Sequence, residues 1–181
     1  MTPKTHATLQ DLHEVDGKAE LVKGELVFMS PTGRRPGRAA GKIYRRLAEH
    51  EEQVGGGYAI PDNVGFAVNL PHRESFSPDA AWYVGPDTDM EFCEGAPLFA
   101  VEVRSKTDYG SAAEQAIQEK RADYFASGAL VVWDVDLLSP DIIKSYKADD
   151  PNHPEIFRRG DTANAEPAVA GWRFAVDELF G

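Results

Sequence analysis

The sequence predicts an α/β domain with a mixed central β-sheet flanked by helices. Three observations carry that reading. Leu98–Arg104 (LFAVEVR) and Ala129–Asp136 (ALVVWDVD) are short, nearly continuous apolar runs, the pattern of strands covered on both faces. Between them, Ser111-Ala112-Ala113-Glu114 has the form of a capping box, so a helix is expected from about Ala112 to Ser127, ending at Gly128. Strand-like runs and a second long helical stretch surround this strand–helix–strand unit.

Taken in order, residues 1–7 read as a loose tail. A short helix follows, opened by Thr8 with Asp11 three residues on and ending near Val15-Asp16-Gly17. This tail and helix, residues 1–15, precede a single domain over 16–181. AELVKGELVFM holds two runs about Lys23-Gly24 and reads as a hairpin, with Gly24 supplying the turn. Ser30-Pro31-Thr32-Gly33 breaks the chain. The long helix is expected from Pro36, a helix-start residue, to Gln53. Its apolar stripe is Ala39, Ala40, Ile43 and Leu47, and Gly55-Gly56-Gly57 ends it. YAIPDNVGFAVNL reads as irregular strand material and SPDAAWYV as a turn leading into a strand. Asp87 to Pro97 is an acidic connection. The tail supplies two or three antiparallel strands: IIKSYK, EIFRR and the closing AGWRFAVDELF.

A chain of 181 residues is long enough for one full core. The one cysteine, Cys93, excludes an internal disulfide framework and a Cys-based zinc site, and fits a reducing compartment. The first residues lack an apolar signal core and no stretch approaches transmembrane length, so a soluble, cytoplasmic protein is expected. A net charge of -11 works against binding nucleic acid by overall charge. Distribution matters more than the total, and Arg34, Arg35, Arg38, Lys42, Arg45 and Arg46 crowd one segment. They read either as a solvated helix face, with Arg45 and Glu49 at pairing distance, or as a phosphate-contacting patch. In the second case Arg38, Lys42 and Arg45 share one helix face.

Three residues do not fit an ordinary core. Glu102 interrupts the first buried strand, and a buried carboxylate is costly unless it is paired or holds a metal. An ordinary salt bridge would use Arg104 or Lys120. Lys120 lies on the inner stripe of the capped helix with Ala113, Ala116, Ile117, Tyr124 and Gly128, where snorkelling to the rim is the plain alternative. Because that helix follows the Glu102 strand directly, a short crossover would bring Lys120 over the strand's end. Asp79, in Ser77-Pro78-Asp79, reads as a strand-start aspartate. If its strand pairs beside that of Glu102, the two carboxylates face one pocket and offer the hard oxygen donors that magnesium prefers. The histidines show no metal-ligand spacing, and no Gly-rich loop stands between a strand and a helix. Neither Ser30 nor Ser105 has an evident His partner.

SPDAAW, LFAVEVRS, KRADYFASG and VVWDVD, in that order, together with AELVKGEL, MSP and the closing GD and AGWRFAVDELF, resemble a bacterial restriction endonuclease domain family of the PD-(D/E)XK nuclease superfamily. The resemblance spans roughly residues 16 to 180. It implies a restriction-endonuclease-like core and hydrolysis of DNA phosphodiester bonds with Mg2+ or Mn2+, the metal held by Asp79 and Glu102. The superfamily's usual lysine position falls on Arg104, which would give electrostatic support because arginine keeps its proton. The lysine function then falls on Lys120. An acidic residue of the first hairpin often joins such sites; Glu20 matches it better than Glu25. Two positions depart from the family pattern, Pro36 in place of a histidine and Ala116 in place of an acidic residue. The resemblance also implies DNA as partner and a homodimer. A fold kept as a binding scaffold without turnover, and a hydrolase of a smaller phosphate ester, are the competing readings.

Overall fold

The structure is a computed structural model that describes residues 6–181. The expected tail over 1–7 therefore lies, for residues 1–5, outside the described residues. Helix α1 (Leu9–His13) carries the expected Thr8–Asp11 capping box and packs Leu12 against Ala19 and Leu21. Strands β1 (Ala19–Val22) and β2 (Glu25–Phe28) form the expected hairpin. Lys23 (φ 53) and Gly24 (φ 69) both take positive φ, as a two-residue hairpin turn requires.

Helix α2 (Arg34–Val54) buries Ala39, Ala40, Ile43 and Leu47, the stripe its spacing predicts. Then come β3 (Tyr58–Ile60), β4 (Phe66–Leu70), β5 (Arg73–Phe76), β6 (Ala80–Tyr83), β7 (Cys93–Glu94) and β8 (Phe99–Val103). Helix α3 (Ser111–Ala126) leads to β9 (Val131–Val135), β10 (Ile143–Lys147), β11 (Asp150–Phe157), β12 (Thr162–Ala165) and β13 (Val169–Ala175).

These strands build a five-stranded sheet in the order β2-β1-β5-β4-β7, a six-stranded sheet in the order β11-β10-β9-β8-β6-β3, and the β12–β13 ribbon. Within the larger sheet β8 and β9 run parallel, joined through α3 as expected, and the other pairs are antiparallel. Alternate residues serve two cores. Phe99, Val101, Trp133 and Trp82 pack toward α2 and the β13 ribbon. Ala100, Ala81, Tyr83 and Val132 pack with Tyr124 of α3 and with Phe66 and Phe76 of the smaller sheet. The chain passes from one sheet to the other at Ser77-Pro78-Asp79, between β5 and β6.

Two expectations are corrected. No capping box forms at Ser111. Helix α3 is N-capped by Gly110 without a side-chain bond, and Glu114 turns instead to the Arg104 guanidinium. A forked, charge-assisted pair outcompetes a bond to a neutral N–H. The closing strand also stops early. Beyond Ala175 its partner strand has ended, at the pair Thr162–Ala175. Val176–Phe180 then coils into a 3-10 helix that buries Val176 and Leu179.

Candidate active site

The β6–β8 register pairs Ala80 with Val101. Continued by one residue, it sets Asp79 opposite Glu102, and residues directly opposite in a ladder share a face. Two bonds extend the pairing: Asp79 N–H donates to the Val101 carbonyl (2.9 Å), and Val103 N–H donates to Asp79 Oδ2 (2.7 Å). The carboxylate is thus aimed by the backbone of the strand that carries Glu102.

Lys120 bridges Glu102 Oε1 and Glu20 Oε1, at 2.8 Å from each. The helix that carries it also supplies Tyr124, one turn on. The Tyr124 hydroxyl donates to Glu102 Oε1 at 2.6 Å, and its ring is stacked on Phe76 at 4.0 Å. Glu20 arrives from β1 and is 3% exposed, whereas Glu25 faces solvent. Its carboxylate also accepts from Ser77 N–H and from Arg73 (2.8 Å each). Arg73 in turn binds Asp123, which meets His72 at 2.6 Å. On the other flank, Lys18 lies 2.9 Å from Asp79 Oδ1 and 2.7 Å from Asp62 Oδ1.

Leaving His72 aside, five carboxylates (Glu20, Asp62, Asp79, Glu102, Asp123) are joined to three lysine and arginine cations (Lys18, Arg73, Lys120), so acids outnumber these cations by two. The deficit is felt at Glu102. Burial raises its pKa above the ordinary 4.5, and the charges of Asp79 and Glu20 add to this against the pull of Lys120 and Lys18. Burial also opposes the charge of Lys120, yet Glu102 and Glu20 outweigh it and raise its pKa, so it stays an ammonium. Among the described residues no three or more His, Cys, Asp or Glu side chains form a metal-binding group. The fit to a metal rests on the pair Asp79 and Glu102, two hard donors in a cluster with more acids than cations, their side chains 22% and 27% exposed. Magnesium is commonly held by one or two carboxylates, with water completing its shell.

The raised Glu102 pKa makes a test. The folded protein takes up this proton more readily than the unfolded chain, so stability falls as pH rises from about 4.5 through the folded pKa. Glu102→Gln is expected to raise the Tm of the metal-free protein at neutral pH. Added Mg2+ should raise the Tm of the parent but not of the variant. A metal-free variant melting below the parent would refute this account of Glu102.

The other sequence-derived residues lie apart. Arg104 binds Asp134 and Glu114 rather than Glu102. Arg38 and Lys42 reach the Gly181 carbonyl oxygen, Arg45 lies near Glu49 and Glu178, and Arg46 binds Glu49 and Glu178. The α2 face beside the carboxylates instead carries Pro36, Gly37, Ala40, Gly41 and Tyr44, the wall of a crevice of about 220 Å³ that reaches Asp79. Lys18, Tyr124, Arg73 and Asp123 went unrecognised in the sequence. Only Tyr124 left a signal there, as a member of the inner helix stripe.

Residues 7–177 match the model of the Uma2 family, described as "Putative restriction endonuclease". The fold is similar to a crystal structure described as "a putative nuclease belonging to DUF820", from Anabaena variabilis. Its TM-score is 0.74 at 12% identity, covering 96% of this chain and 97% of that one. At that identity the likeness establishes a shared fold, with mixed sheets flanked by helices. No curated protein matches the sequence.

Proposed function

Because the chain belongs to the Uma2 family, we propose that it is a divalent-metal-dependent endonuclease hydrolysing DNA phosphodiester bonds at Asp79 and Glu102. The observation that carries this reading is the facing pair of carboxylates, each bound to a lysine, within a cluster where acids outnumber lysine and arginine cations by two. Mg2+ or Mn2+ held there would polarise a phosphate oxygen and acidify a bound water.

The chain's own groups divide the remaining work. Val103 N–H fixes the Asp79 carboxylate, and the Tyr124 hydroxyl fixes Glu102. Lys120, held as an ammonium, orients the attacking water by donating to it and neutralises charge growing on the phosphate. It does not act as a base. Glu20 holds that ammonium from behind, and Arg73 offsets the charge of Glu20. The crevice beside Asp79 gives the group attached to the scissile phosphate a place to lie. A homodimer in the cytoplasm, presenting one centre to each strand of duplex DNA, completes the proposal.

One observation favours a second substrate class, a smaller phosphodiester. The cations of α2 are largely engaged by Glu49, Glu178 and Gly181 of the same chain, which weakens them as a grip on DNA phosphates. Calorimetry and cleavage separate the possibilities. Asp79→Ala should lose Mn2+ binding and, with it, nicking of supercoiled plasmid. Hydrolysis of bis(4-nitrophenyl) phosphate without plasmid nicking would select the smaller substrate. Equal Mn2+ binding by parent and variant would remove Asp79 from the site.

A further inference from the structure

Both oxygens of Asp79 already have a partner. Val103 N–H takes Oδ2, and Lys18 occupies Oδ1. A divalent ion held by Asp79 would share its carboxylate with the ammonium, which stands 2.9 Å from Oδ1. Two cations on one partly buried carboxylate repel each other, and the Lys18 side chain is only 17% exposed. The lysine nevertheless has somewhere to go. Asp62 Oδ1 is its shorter contact, at 2.7 Å, and lies on a half-exposed side chain at the crevice. The same oxygen accepts from Asn63 N–H at 2.8 Å, so the loop between β3 and β4 already holds that carboxylate in place.

We infer that Lys18 is a displaceable counter-ion: it holds Asp79 while the metal is absent and retreats onto Asp62 when a divalent cation binds. The inference rests on the metal-centre reading above. Lys18 then has two positions, one bridging both carboxylates and one on Asp62 alone. Apparent metal affinity is the intrinsic affinity scaled by the fraction in the second. Asp62 sets that fraction and never touches the metal. It is a positioning residue that acts through Lys18.

A plain electrostatic role for the same residues predicts something different, and a double-mutant cycle separates the two. Mn2+ binding is measured by calorimetry on the parent chain and on Lys18→Met, Asp62→Asn and the double variant, with circular dichroism to confirm folding. Lys18→Met should bind Mn2+ about tenfold more tightly, because the competing ammonium is gone. Asp62→Asn should bind about threefold to tenfold more weakly, because Lys18 loses its retreat and stays on Asp79. With Lys18→Met in place, Asp62→Asn should change nothing. Lys18→Arg, which keeps the bridge, should stay near the parent value. If Asp62→Asn weakens binding equally in both backgrounds, Asp62 is only a nearby charge and the displacement is wrong. If neither the parent nor Lys18→Met binds Mn2+, the metal-centre reading falls and takes the displacement with it.

Discussion

Lys120→Met is expected to lower metal-dependent cleavage by about a thousandfold, the scale of removing one preorganised donor from a reacting centre, while leaving the fold in place. Methionine fills the same space along α3. Glu20 keeps Arg73 and Ser77 N–H, and Glu102 keeps the Tyr124 hydroxyl. What disappears is the ammonium that joins the two carboxylates. Because the raised pKa keeps Lys120 charged across the neutral range, no limb of the pH–rate profile should belong to it. Lys120→Arg should therefore recover part of the rate. Plasmid nicking with matched circular dichroism decides the matter: cleavage by the methionine variant within tenfold of the parent would leave Lys120 a structural residue.

Arg73→Met is expected to cost about 3–5 kcal/mol, the usual result of removing one partner from a buried ion cluster, or roughly 6–20 °C in Tm. Arg73 is 7% exposed and serves Glu20 and Asp123 together, so its loss strips a bond from two buried carboxylates at once. The pH dependence identifies the cause. Burial pushes the Glu20 pKa up, but Lys120 and Arg73 outweigh it, and the folded value lies below the ordinary 4.5. Stability from that pairing is present above 4.5 and is lost as pH falls through the folded pKa. The gap in Tm between parent and variant should therefore narrow below pH 4.5. A gap that is small at neutral pH, or that widens in acid, would mean that Arg73 acts through packing instead.

How much of this was legible follows from the kind of signal each residue leaves. Glu102 stood out because a carboxylate interrupted an apolar strand. Lys120 stood out because a cation sat on an inner helix stripe, and the short crossover brought the two together as expected. The turn at Lys23-Gly24 needed only local chemistry. Strand β5 was missed because Arg73, Glu74 and Ser75 look like loop residues, although Arg73 and Ser75 are buried. Its partners, Glu20 and Asp123, are some fifty residues away on either side. Lys18 reads as an ordinary lysine ahead of a strand, since its acceptors come from two distant loops. The capping motif at Ser111 failed for the same reason: Arg104, its competitor, is adjacent only once the strand is laid beside the helix. The direction of the α2 cations depended on where the closing 3-10 helix would settle.

The crossing at Ser77-Pro78-Asp79 means that no contiguous stretch of chain holds the whole centre. Lys18, Glu20, Arg73 and Asp79 precede the exposed connection around Met90, and Glu102, Lys120, Asp123 and Tyr124 follow it. During synthesis, which delivers about 5–20 residues per second, the first half emerges with Lys18, Glu20, Arg73 and Asp79 but without Glu102 and Lys120. The cluster is complete only when β8 and α3 have docked, because Glu102 pairs beside Asp79 and Lys120 reaches Glu20 from there.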